Sequence, residues 1–175
     1  MLGDCGPPDI LPTLWRRVVA SEDSRVQEKA WAAIIEILCR ACNLELLQQW
    51  DRLLMEARQG PRRLQLLNEA FTRWQKREEL KTAVATVRET LVQALLEQGK
   101  WAAATPLIRE MLTLPISETD QEKCLRWLLT AGQQALKEGN RPEALQAAQQ
   151  AQAYLRRKPS LAAEFEKLER SAKEP

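Results

Sequence analysis

Cys39 and Cys42, two cysteines three residues apart, are the residues here whose type and spacing could do chemistry. A Cys-x-x-Cys pair serves as half of a zinc site or as a dithiol redox centre. Zinc needs about four ligands, but the chain has no histidine, and Cys5 and Cys124 lie far off in sequence. A redox pair works at a helix N-terminus, where the dipole lowers the thiol pKa. This pair falls at the end of a predicted helix, the wrong end, so we read all four cysteines as ordinary reduced thiols. The absence of histidine also removes histidine-based triads and metal sets. Gly60, Gly99 and Gly139 stand singly and form no phosphate loop, while Glu78–Glu79 and Glu164 with Glu166 read as solvated helix faces. The residues thus point away from an enzyme, a cofactor, a metal or a small-molecule substrate.

Other side chains suit contact rather than catalysis. Six tryptophans outnumber one tyrosine and two phenylalanines. Trp50, Trp74 and Trp101 fall on apolar stripes and should pack inside; Trp31 and Trp127 lie off the stripes, as candidates for an exposed contact. Of the basic groups, Arg156–Lys158 is expected at a helix C-terminus, where cations complement the dipole. Arg62–Arg63 is expected at an N-terminus, against the dipole, and is therefore the candidate partner-contacting pair.

These residues must be carried by helices. Ala, Leu, Glu, Gln, Arg and Lys dominate, Val and Ile are sparse, and alternating apolar runs are missing, so the chain is expected to be all-α. With 26 basic and 24 acidic residues, bulk charge argues for neither nucleic acid nor a membrane surface. The longest apolar run, 31–35, is too short to span a bilayer. The start, MLGDCGPPDILP, lacks a signal peptide's basic head and apolar core, so a cytoplasmic location is expected. Residues 1–8 read as a flexible lead-in, and 9–173 as a single helical domain. Periodicity and capping signals predict nine helices at about 11–20, 24–41, 44–58, 61–76, 79–98, 100–113, 119–138, 141–157 and 160–172. Ser24, Asn43 and either Ser117 or Thr119 are the expected caps; Pro106 is expected to kink the sixth helix.

Gly60, Gly99 and Gly139 recur at 39 and 40 residues, each between a predicted helix end and a helix start. A period of this size is the mark of stacked helical hairpins. The segment 125–154 resembles a tetratricopeptide repeat: Gly132 matches its small eighth residue, Gly139 its turn, and Ala144, Ala148 and Ala151 its small-residue ladder. Residues 85–114 resemble it less closely, with Gly99 at the turn, Ala104, Ile108 and Met111 on the ladder, and Val92 in place of the small residue. The first hairpin, with Asp23, Val26, Ala30 and Ile34, is similar to a HEAT repeat. The resemblances imply a right-handed α-solenoid, HEAT-like or irregular over 9–80 and tetratricopeptide-like over 81–173.

The tetratricopeptide register turns Glu89, Gln93, Arg126, Leu129 and Gln133 toward a concave groove. They do not match the Lys/Asn set with which some such repeats clamp a chaperone's C-terminal carboxylate, so that activity is not implied. The reading that follows is a non-catalytic scaffold binding a peptide or helix of a partner protein. Two alternatives remain: a structural or regulatory spacer of a larger protein, and a helical-repeat surface for nucleic acid, which the balanced charge disfavours.

Overall fold

Helix ends in this chain are set by a few local devices, and these fix where each side chain points. The computed structural model describes residues 8–156 and 158–174. Among them are nine α-helices and no strand, as the composition requires. No helix there is long and apolar enough to cross a membrane. Of the expected lead-in at 1–8, residues 1–7, with Cys5 among them, lie outside the described residues, and Pro8 opens a 3-10 turn.

The chain divides into two compact units, Met1–Arg88 and Glu89–Pro175. In the first, a 3-10 turn at Pro8–Ile10 leads into α1 (Leu11–Ala20), α2 (Ser24–Ala41), α3 (Leu44–Glu56) and α4 (Gly60–Trp74). A second 3-10 turn, Glu78–Leu80, precedes α5 (Lys81–Glu97), within which the division falls. α2 packs on α1, α3 and α4, and α3 packs on α4. The core there is built from Trp31, Ile34, Leu38, Leu47, Leu54, Leu66, Leu67 and Trp74, all essentially sealed from solvent.

Two caps differ in instructive ways. Asn43 caps α3 as expected, its side chain accepting from Leu46 N at 3.0 Å. For α2 the cap is Asp23 rather than Ser24: Asp23 is extended and its carboxylate accepts from Arg25 N at 2.8 Å. Ser24 is already helical, and a carboxylate at that end also meets the dipole.

The second unit holds the rest of α5, then α6 (Trp101–Thr113), α7 (Glu118–Lys137), α8 (Arg141–Ala151) and α9 (Pro159–Lys173). α7 packs on α6, α8 and α9, and α8 packs on α9. α6 runs unbroken through Pro106, with the Thr105 hydroxyl donating to the Trp101 carbonyl at 2.8 Å. Ser117 caps α7, accepting from Asp120 N at 3.1 Å. α8 stops at Ala151, earlier than expected, and a 3-10 turn follows at Gln152–Tyr154. Arg156 and Lys158 therefore lie in the connection to α9, not on a helix C-terminus, and Lys158 is the residue that precedes α9. Arg157 is outside the described residues.

Gly132 lies where helices pinch. A β-carbon added there would come within 2.6 Å of Leu168 Cδ2 on α9 and 3.2 Å of the Ala147 β-carbon on α8. Ala144, Ala148 and Ala151 are fully buried along α8. Small side chains let these helices approach closely.

The turn expected of Gly60 is made by another residue. Gly60 and Pro61 open α4, and the left-handed residue is Arg58, with φ 53°. Its pattern repeats at Gly99 (φ 69°) and Gly139 (φ 79°). At each site the left-handed N–H donates three residues back: Arg58 to Met55, Gly99 to Leu96, Gly139 to Leu136. The following N–H reaches five back: Gln59 to Leu54, Lys100 to Leu95, Asn140 to Ala135, each at 2.8 Å. These are three Schellman endings, and the first holds a side chain where glycine is favoured. Arg58→Gly is expected to stabilise the chain by up to about 1 kcal/mol. Gly99→Ala and Gly139→Ala should each cost about 1 kcal/mol through backbone strain alone, because a β-carbon at either site meets nothing within 4 Å. Thermal unfolding of the three variants checks the opposite signs.

Candidate functional site

The first turns of α7 line an open cleft of about 510 Å³ with Glu118, Glu122, Lys123, Arg126 and Trp127, and Lys158 reaches in from the α9 connection. The helix period sets this arrangement. Glu122 and Arg126 are four apart, as are Lys123 and Trp127, so each pair shares a face. The Arg126 guanidinium donates to Glu122 Oε1 from Nη2 at 2.8 Å and from Nε at 3.3 Å. Lys158 Nζ donates to the Glu118 carbonyl at 3.4 Å and stands 3.7 Å from Glu122 Oε2. The Arg126 hydrogen bond, aided by the positive charge of Arg126 and Lys158, holds the Glu122 carboxyl below its ordinary range. Lys123 Nζ donates to Glu89 Oε2 at 2.5 Å and lies 4.9 Å from the centre of the half-buried Trp127 ring.

Chemically these groups offer ion pairing beside an apolar ring. Three cations face two carboxylates around one face of an indole. Glu122 is kept ionised and so is no proton donor near neutral pH. Exposed ion pairs of this kind are worth only about 0–1 kcal/mol each, so an incoming charged group can exchange with them at small cost. No group of three or more potential metal ligands occurs among the described residues.

The residues singled out from the sequence are distributed unevenly. Glu89 and Arg126 join the cleft network through Lys123 and Glu122. Gln93 is exposed but donates to Glu97 within its own helix at 2.9 Å. Gln133 lines a different cavity, with Leu136, Glu164 and Lys167. Leu129 is buried in the α7 core, so its side chain presents nothing to a partner. Arg63 is 6% exposed and grips Asp51 of α3 with two hydrogen bonds, Nε to Oδ1 at 2.7 Å and Nη2 to Oδ2 at 3.2 Å. Arg62 lies 5.9 Å from the Trp31 ring centre and donates to Gln59 Oε1 at 3.3 Å. The α4 N-terminus tolerates these two cations because each has an intramolecular partner.

Two other expectations need correction. Trp31 is 1% exposed and donates from Nε1 to Gln65 Oε1 at 2.6 Å, so it is core and not a contact surface. A single helix wheel misses this, because α2 is covered on two sides, by α1 and α4. Lys158, expected at a helix C-terminus, instead precedes α9 and joins this cleft, and Lys123 enters it by tertiary packing; only the i, i+4 relation of Lys123 to Trp127 follows from the sequence.

Among the described residues, Cys39, Cys42 and Cys124 are free thiols. Burial raises Cys39 and Cys124 to about 11, which removes their thiolate at neutral pH. Cys42 Sγ donates to the Cys39 carbonyl at 3.4 Å and accepts from Arg77 Nη1 at 3.2 Å. Several cations outside the cleft are paired: Arg63 with Asp51, Arg73 with Glu36 and Glu69, Arg109 with Glu143, and Lys173 with Glu169. In comparisons with protein-family models, curated proteins and solved structures, none matches this chain.

Proposed function

We propose that the chain is a non-catalytic scaffold of the helical-repeat kind that binds an extended peptide of a partner protein across the α7 cleft. The observation that carries this reading is the half-buried Trp127 ring flanked by Lys123 and Arg126 in an open, charged cleft. An apolar side chain of the peptide covers the indole. An acidic one takes Arg126 and Lys158 from Glu122, and a basic one is drawn to Glu118 or the released Glu122. A solenoid arrangement of tetratricopeptide-like hairpins is part of the same reading. It is supported by the repeated Schellman endings and by the small residues between α7 and α8. A cytoplasmic location agrees with three free thiols.

The test is selection of a displayed random-peptide library on the purified chain, then titration of an enriched peptide. Arg126→Glu with Trp127→Ala is expected to weaken binding by about tenfold or more. Gln133→Ala, elsewhere on α7, should leave it unchanged. Selection that enriches nothing, or an affinity indifferent to the paired substitution, would sink the reading.

A further inference from the structure

α1 and the residue before it carry apolar surface that the described residues of their unit leave uncovered. Leu11 and Val18 are buried, while Ile10 is 41% and Val19 54% exposed, and Trp15 is half-buried. Pro12, Trp15 and Arg16 form one wall of a groove of about 500 Å³, and Leu46, Trp50 and Leu53 of α3 form the other. Trp15 and Trp50 meet between the helices, ring centres 5.8 Å apart and planes at 89°. Val19 continues the α1 wall by one turn, at the i+4 position from Trp15. The α3 wall, from Leu46 to Leu53, runs two helical turns, about 10 Å.

Among the described residues its lining has one charged side chain, Arg16, one amide, Gln49, and the indole N–H groups of Trp15 and Trp50. α1 holds two cations, Arg16 and Arg17, and no carboxylate. Neither cation has an ion-pair partner among the described residues. This sets the groove apart from the α7 cleft, where every cation is already engaged.

We propose that the α1/α3 groove docks an amphipathic helix of a partner protein, whose apolar stripe covers Trp15, Leu46 and Leu53 and whose acidic flank meets Arg16. A helix fits better than an extended strand for a physical reason. An extended peptide must find partners for its backbone N–H and C=O groups, and among the described lining side chains only the Gln49 carbonyl can accept from a backbone N–H. A helix satisfies its own backbone and presents apolar residues at i, i+3, i+4 and i+7 to a groove two turns long. The sign of the partner's flank follows from Arg16, which lines the groove with no ion-pair partner among the described residues and so attracts carboxylates and repels cations. This inference is independent of the α7 cleft.

The experiment uses two fluorescein-labelled peptides of about 16 residues, long enough to form a helix on binding. Both carry the same leucine stripe; one has glutamate flanks and the other lysine flanks. Anisotropy titration of the full chain is expected to show the acidic peptide binding about tenfold tighter. Arg16→Glu, at an exposed position that leaves folding intact, should abolish or reverse that preference. Leu46→Lys should weaken both peptides, and amide-exchange protection should concentrate on α1 and α3. Equal affinity for the two peptides overturns the proposal, as does a preference unmoved by Arg16→Glu. Loss of binding through Arg126→Glu instead would assign the peptide to the α7 cleft and overturn this groove while sustaining the other reading. Sedimentation of the chain alone provides the last arm: a dimer that Arg16→Glu with Val19→Asp dissociates would show a second copy in the groove and also overturn it.

Discussion

Asp51→Ala is expected to lower stability by about 3 kcal/mol, far more than loss of an ordinary surface ion pair. The reason is what the substitution leaves behind. The Arg63 and Asp51 side chains are only 7% and 13% exposed, and the guanidinium meets both carboxylate oxygens. Removing the carboxylate strands a cation near the positive end of the α4 dipole, which disfavours it further. Replacing both partners should cost much less, because an apolar pair of similar volume leaves no uncompensated charge. Urea unfolding of the parent chain, Asp51→Leu, Arg63→Met and Asp51→Leu/Arg63→Met, with Asp51→Ala measured beside them, therefore forms a double-mutant cycle with an expected coupling of about 2 kcal/mol or more. A cost below about 1 kcal/mol for Asp51→Ala would show that the pair behaves as if solvated.

Gly132→Val should destabilise the second unit by about 2–3 kcal/mol through overpacking and strain. The β-carbon alone intrudes on Leu168 Cδ2 at 2.6 Å and on the Ala147 β-carbon at 3.2 Å. Gly132→Ala is a different case. Leu168 Cδ2 is the movable end of a side chain, and alanine recovers about 1 kcal/mol of helix propensity, so that variant should be close to neutral. The branched γ-carbons of valine remove the escape, since α8 meets the same point with backbone and Ala147. Leu168→Ala should partly rescue Gly132→Val, making the double variant less unstable than the two single effects added. Thermal unfolding measures this, and simple additivity would show that Leu168 is not the obstacle.

The helical character of the chain was legible because it rests on local signals. Asn43 and Ser117 cap as their types and positions demand, and Gly99 and Gly139 end helices with the positive φ that glycine tolerates. The same logic misassigned Gly60, because a glycine-proline pair is as good a helix start as a helix end, and Arg58 paid the left-handed strain instead. Asp23 displaced Ser24 by a single position, the usual margin for a cap read without backbone angles. Tertiary facts were less accessible. That Trp31 is core depends on α2 being covered twice, and that Arg63 turns inward depends on Asp51 lying opposite it on α3. Sequence spacing reports faces of one helix, whereas both outcomes are decided by the next one. The α7 cleft was half visible: Arg126 and Trp127 stood out by type, but Lys158 arrives from 32 residues further along the chain.

The unequal burial of the indoles also gives the molecule its own optical reporters. Trp31, Trp74 and Trp101 are buried and hold hydrogen-bonded ring nitrogens, and Trp50 is buried against Trp15. Trp15 and Trp127 are half-buried, one in each compact unit and each beside a surface proposed to bind. Trp31 and Trp74 are sealed from water-borne quenchers, and Trp101 and the groove-lining Trp50 are only slightly exposed, so most of the quenchable emission belongs to Trp15 and Trp127. Phenylalanine at position 15 or 127 then silences one unit's signal and leaves the other's, so occupancy of groove and cleft becomes separately visible without any attached dye.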